Sequence, residues 1–214
     1  MIFGFDEAGR GCVIGPLVLC RAGIEPKAEK ELRALGVKDS KKLSARQREA
    51  LEGPVRELCD IRTHHLSAET LTQKMDSLNL NDIEAEAVAG LLADAPAGSQ
   101  VFIDSPDNVP IKFAERVKKF SPSGHPLPHL VCENKAEDRY PIVAAASIIA
   151  KVERDREIEK IKQEVGFDFN SGYTSDPVTT AFLARHLDDG RVKPYVRWKW
   201  ATLENLRQKK MSDY

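Results

Sequence analysis

The chain has 214 residues, with 32 Lys+Arg against 33 Asp+Glu and a formal net charge of −1. That length suits one full core and a small appendage, and 42% hydrophobic with 30% charged residues exclude global disorder. Uncharged apolar runs such as Pro141 to Ala150 reach ten residues, half of the roughly 20 a membrane helix needs, so no span is expected.

In chain order, Ile2 to Phe5 reads as a short strand ending at Asp6-Glu7, and Val13 to Cys20 as a second strand after a glycine-rich turn, together a hairpin. Ser44 to Cys59 has helical spacing with an N-cap Ser, although Gly53-Pro54 should bend or split it. Ile61 to Leu66 is a third strand, and Asn79 to Ala95 an amphipathic helix with Leu80, Ile83, Ala87 and Leu91 on one face. Val101-Phe102-Ile103 is a strand stopping at Asp104, Ile111 to Phe120 a helix, and His129 to Cys132 a strand. Ile142 to Val165 is the longest helix, apolar first and charged later, with Pro141 in its first turn. Asp176-Pro177 caps and opens a helix to about Leu187, and Trp198 to Lys210 closes the chain as a basic helix. Strands alternating with helices indicate an α/β domain over residues 1–168, followed by a small helical unit over 169–214.

The N-terminus has no basic region and meets two acids at once, unlike a signal peptide. Cys12, Cys20, Cys59 and Cys132 form no Cys-x-x-Cys pair and have no His at zinc spacing, which suits a reducing, cytoplasmic setting. Neither they nor the five His residues show a catalytic pairing. The near-zero net charge hides a segregation: Arg191 to Tyr214 carries seven Lys/Arg and two acids, a net of +5, leaving −6 for residues 1–190.

The carboxylates fall at strand ends. Asp6 and Glu7 end the first strand, Asp104 ends another, and Glu137-Asp138 follow a third before the longest helix. Sites in open α/β sheets gather at strand ends, so these acids can meet in space. Converging carboxylates repel one another unless cations sit among them. Oxygen ligands of this kind select a hard divalent ion, Mg²⁺ or Mn²⁺, and a pair of such ions roughly 3.5–4 Å apart supports phosphodiester hydrolysis. Any one of these acid groups alone reads as ordinary turn chemistry. The Gly9-Arg10-Gly11 turn serves backbone geometry or lets backbone N–H groups approach a ligand, with Arg10 placed to meet a phosphate.

Four motifs, namely Asp6-Glu7-Ala8-Gly9-Arg10-Gly11, Asp39-Ser40-Lys41-Lys42-Leu43-Ser44, Ala144 to Asp155 and Ser171-Gly172-Tyr173-Thr174-Ser175-Asp176-Pro177, resemble in order and spacing those of ribonuclease HII, most closely its archaeal members. The resemblance spans nearly the whole chain. It implies a ribonuclease H-like α/β fold, a central mixed sheet flanked by helices with a small C-terminal helical unit. It also implies an endonuclease that hydrolyses the RNA strand of RNA–DNA hybrids and cuts 5′ to a single ribonucleotide in duplex DNA, leaving 3′-hydroxyl and 5′-phosphate ends. By the same resemblance Asp6, Glu7 and Asp104 bind two Mg²⁺ or Mn²⁺ ions. Gly9, Arg10 and Gly11 contact the ribose 2′-hydroxyl and its phosphate, Tyr173 stacks at the ribo-to-deoxyribo junction, and Lys41, Lys42 and Lys151 contact phosphates.

One departure bears on the metal set. Where the family usually has Lys-Ala-Asp, this chain has Lys135-Ala136-Glu137 followed by Asp138. Motif alignment favours Glu137 as the fourth carboxylate, and side-chain length favours Asp138. In the tail, Tyr195, Arg197, Trp198, Lys199 and Trp200 interleave aromatics with cations, as duplex binding or a core anchor would use. At helical spacing the two Trp side chains point about 200° apart, which makes one of them a core anchor. Gln208, Met211 and Tyr214 are similar to a sliding-clamp interaction box with one of its two usual aromatics. A monomer is expected. The competing readings are a binding module that has lost catalysis and a nuclease of the same fold acting on DNA alone.

Overall fold

The computed structural model describes residues 1–37, 42–96, 98–122 and 128–203. Among them are five strands in one mixed sheet: β1 (Ile2–Ala8), β2 (Leu17–Ile24), β3 (Asp60–Leu66), β4 (Gln100–Asp104) and β5 (His129–Glu133), in the order β3-β2-β1-β4-β5. β1 and β2 pair antiparallel, as the hairpin reading expects, whereas β1 with β4 and β4 with β5 pair parallel. The second strand starts later than its apolar run suggests. Gly15 sits in left-handed backbone at φ +93° and Pro16 brings no N–H, so Val13 and Ile14 stay outside the ladder and β2 begins at Leu17.

The helices are α1 (Glu29–Ala34), α2 (Ala45–Leu58), α3 (Ala68–Lys74), α4 (Leu80–Leu91), α5 (Pro110–Phe120), α6 (Pro141–Val165) and α7 (Pro177–His186). α2 runs unbroken through Pro54. Ser44 caps it in a reciprocal box with Gln47, and Val55 anchors its inner face, which together outweigh the one backbone bond the proline removes. Asn79 caps α4 and Asp176 caps α7, with Pro177 in the first turn. No described helix is long and apolar enough to cross a membrane.

The chain divides into two units. The first, Met1–Ala8, Val18–His64 and Asn79–Glu153, holds a core of β2 residues (Val18, Cys20, Ala22, Ile24) and the apolar first half of α6, Ile142 to Val152. That helix crosses β1 at Gly4, where a Cβ would lie 2.4 Å from the Ile142 carbonyl carbon, so only glycine admits the contact. The second, Gly9–Leu17, His65–Leu78 and Arg154–Tyr214, has its own core, in which Ile158, Ile161 and Val165 meet Phe169, Phe182, Leu183 and Val196.

Candidate metal centre

Three acids converge within the first unit, and register explains two of them. In the parallel pair β1/β4, Phe5 is opposite Ile103, so the next residues, Asp6 and Asp104, lie side by side, Asp104 at the end of β4 and Asp6 within β1, which runs on to Ala8 beyond the end expected from sequence. The third comes from the turn after β5. Lys135 adopts left-handed backbone at φ 59° and a 3-10 turn follows over Ala136–Asp138. The Ala136 N–H donates to Asp104 Oδ1 at 2.9 Å, which fixes the turn to β4. In this turn Glu137 is buried and Asp138 exposed.

Asp6, Asp104 and Glu137 each offer an oxygen within 4.8 Å of the others. Asp6 and Glu137 are only 7% and 4% exposed, so water screens their repulsion little. The Lys151 ammonium lies 3.6 Å from Glu137 Oε2 and 4.0 Å from Asp6 Oδ2. Ser147, fully buried one turn earlier on α6, donates to Glu137 Oε2 at 2.9 Å and accepts from Lys151. Burial pushes the Asp6 carboxyl up to about 7; Glu137 and Asp104 push the same way, against Lys151 and a hydrogen bond from Ser147. A buried set of carboxylate oxygens with one lysine among them is chemically suited to a hard divalent ion.

Among the other site residues expected from sequence, Glu7 is half-buried and lines a narrow crevice with Phe5, Asp6, Glu84, Asp104 and Phe113. Asp138 faces a separate open depression with Glu133, Lys135 and Arg139. Lys42 is exposed, and Lys41, Gln208, Met211 and Tyr214 lie outside the described residues. Ser147 was not singled out from sequence. Its place four residues before Lys151 on a helix is the signal, because that spacing puts both on one face.

Gly9, Arg10, Gly11 and Tyr173 belong to the second unit. Gly9 sits at φ +86°, and a Cβ there would lie 2.7 Å from the Pro16 carbonyl oxygen, so glycine is required. The Tyr173 ring lies against Gly11, where a Cβ would be 3.5 Å from Cδ1. Arg197 is not the phosphate-facing cation that interleaving suggested: it is fully buried. Trp198 and Trp200 are both half-buried and pack on the second core, because residues 197–200 are non-helical and the angle between them is not that of a helix.

The ribonuclease HII family model matches residues 3–203. The chain belongs to the ribonuclease HII family. The ribonuclease HII of Archaeoglobus fulgidus is 44% identical over 211 residues, covering 99% of this chain and 98% of that one. In the structure of the PCNA:RNase HII complex from that organism, the matching chain has a TM-score of 0.86 at 43% identity, with full coverage of both. The ribonuclease H2 from Pyrococcus horikoshii OT3 also gives 0.86, at 38% identity over 97% of each chain. The fold is therefore ribonuclease H-like, as the mixed sheet with flanking helices already suggests. Membership makes the chain an endonuclease of the ribonuclease H type, acting on RNA–DNA hybrids with divalent metal.

Proposed function

We propose that this ribonuclease HII hydrolyses the RNA strand of hybrids, and cuts 5′ to single ribonucleotides in duplex DNA, at a centre built on Asp6, Asp104 and Glu137. The observation that carries the reading is the convergence of these three carboxylates from β1, β4 and the turn after β5. Glu7, next to Asp6 and lining a crevice with it and Asp104, completes the set. A pair of Mg²⁺ or Mn²⁺ ions, when bound, supplies Lewis acidity for the attacking water and the leaving 3′-oxygen.

The chain's own groups do the rest. Ser147 holds Glu137 in place, and Lys151 offsets the carboxylates' charge and can donate to a phosphate oxygen. The Gly9 to Gly11 turn meets the ribose 2′-hydroxyl, the group that separates RNA from DNA. Tyr173 offers a ring for the neighbouring nucleotide, and Lys41 and Lys42 meet the backbone phosphates. In this reading residues 1–168 carry the catalytic groups, and 169–214, which share a compact unit with the Gly9–Gly11 turn, bind substrate. Gln208, Met211 and Tyr214 form a clamp-binding segment, a reading supported by the A. fulgidus relative's complex with PCNA.

The test is cleavage of a duplex carrying one ribonucleotide, in Mg²⁺ and in EDTA. A nick 5′ to the ribonucleotide that EDTA abolishes is the expected result. Cleavage that survives EDTA, or that occurs equally in an all-DNA duplex, overturns the proposal.

A further inference from the structure

Two guanidiniums are buried behind the Gly9–Gly11 turn, both within the second unit. Arg154, 6% exposed, donates from Nη2 to Cys12 Sγ at 2.9 Å and to the Ser171 carbonyl, and its guanidinium carbon lies 4.7 Å from the Tyr173 ring centroid. Its Nη1 reaches Asp155 Oδ1 at 2.9 Å, and its buried Nε has no hydrogen-bond partner among the described residues. The stem runs directly under Gly9, where a Cβ would lie 3.3 Å from Arg154 Cγ. Arg197 donates from Nε to the Gly15 carbonyl at 2.8 Å and from Nη1 to the Arg10 carbonyl at 3.2 Å. Burial pushes the Cys12 thiol up while Arg154 and Arg197 both pull it down, so both cations act on the same point of the turn.

Burying a guanidinium against carbonyls and a thiol is an inefficient way to stabilise a fold, since an apolar side chain of similar volume would do as well. What the arrangement does supply is geometry and field. Arg154 passes under Gly9 at the start of the turn and ties Cys12, just past its end, to the loop that carries Tyr173, and the paired cations leave a fixed positive potential there.

We propose that Arg154 is a positioning residue for the substrate: it holds the Gly9–Gly11 turn and the Tyr173 ring as one preformed surface for a ribonucleotide and its phosphate. This rests on the function proposed above, and binding measured apart from cleavage separates the two. The experiment is fluorescence anisotropy in EDTA, with a duplex containing one ribonucleotide and a matched all-DNA duplex. It uses wild type, Arg154→Met, Arg154→Lys, Tyr173→Ala and the Arg154→Met/Tyr173→Ala double variant, with thermal midpoints recorded for each.

Arg154→Met is expected to weaken binding of the ribonucleotide duplex about tenfold and to shrink its preference over DNA. The double variant should bind no worse than the weaker single one, because Arg154 acts through the ring. Arg154→Lys keeps a cation but cannot span Cys12 and Ser171, and should lie between Met and wild type. It carries the test if the Met variant does not fold. Wild-type affinity in Arg154→Lys, additive losses in the double variant, or a lowered midpoint with unchanged ribonucleotide preference would each overturn the proposal. Wild type that binds with preference but never cuts overturns the proposed function and leaves this inference standing.

Discussion

The first unit buries two carboxylates beside Asp104, the second buries two guanidiniums behind a turn, and these two groups are answered differently. In the first, Asp6 and Glu137 are answered by Lys151 at 4.0 and 3.6 Å and by a fully buried hydroxyl, Ser147. In the second, Arg154 is answered by the Ser171 carbonyl, Cys12 Sγ and the half-exposed Asp155, and Arg197 by the Gly15 and Arg10 carbonyls. Clustered carboxylates suit a ligand of high positive charge and strict oxygen coordination, whereas guanidiniums held by the backbone shape a surface and lend it positive potential. In the proposed reading, one region works on an ion and the other recognises the substrate. A net charge of −1 is the average of the two and describes neither.

That contrast can be broken most forcefully at the carboxylates. Asp104→Asn removes a ligand oxygen and also weakens the acceptor that holds the Ala136 turn. Cleavage should fall by more than about a hundredfold, with the midpoint unchanged or raised in EDTA because a repelling charge is gone. Ser147→Ala leaves every carboxylate in place but removes the hydroxyl that donates to Glu137 Oε2. The metal concentration needed for half-maximal cleavage should then rise about tenfold, and an unchanged metal requirement would remove Ser147 from the site.

The pH dependence sharpens the same region. With the folded Asp6 carboxyl raised from 3.8 to about 7, the folded state holds a proton that the unfolded chain has released. Its contribution is complete below about pH 4 and is lost as pH rises through 7. Thermal midpoints in EDTA should therefore contain a falling component between pH 4 and 7 that Asp6→Asn eliminates, while apparent metal affinity rises over the same interval. The smallest effect belongs to the exposed cations: Lys42→Ala should weaken duplex binding only a few-fold and reduce the salt slope by about one contact. A large effect there would mean that the surface cations, and not the buried guanidiniums, carry recognition.

The acids of this cluster are legible in the sequence because an apolar strand run leads into each of Asp6 and Asp104. β4 does end at Asp104, whereas β1 continues past Asp6 to Ala8, and parallel register sets Asp6 beside Asp104. The choice between Glu137 and Asp138 is not legible, since it depends on the left-handed Lys135 and the 3-10 turn that point one acid inward. A side chain's extra methylene matters less than which way its Cα faces. Val13 and Ile14 read as strand but are apolar for the second core, not for the sheet. Arg197 is illegible for a related reason: a cation among aromatics looks the same in sequence whether its partners are phosphates or buried carbonyls 182 and 187 positions away.

The most direct test of the central claim is the rate of nicking at a single embedded ribonucleotide as Mn²⁺ is titrated, compared among wild type, Glu137→Gln and Asp138→Asn. The expected result is a curve for Asp138→Asn that overlays wild type and one for Glu137→Gln that is displaced to higher Mn²⁺ with a lower plateau. A Glu137→Gln curve that coincides with wild type would contradict the assignment of this cluster as the metal centre.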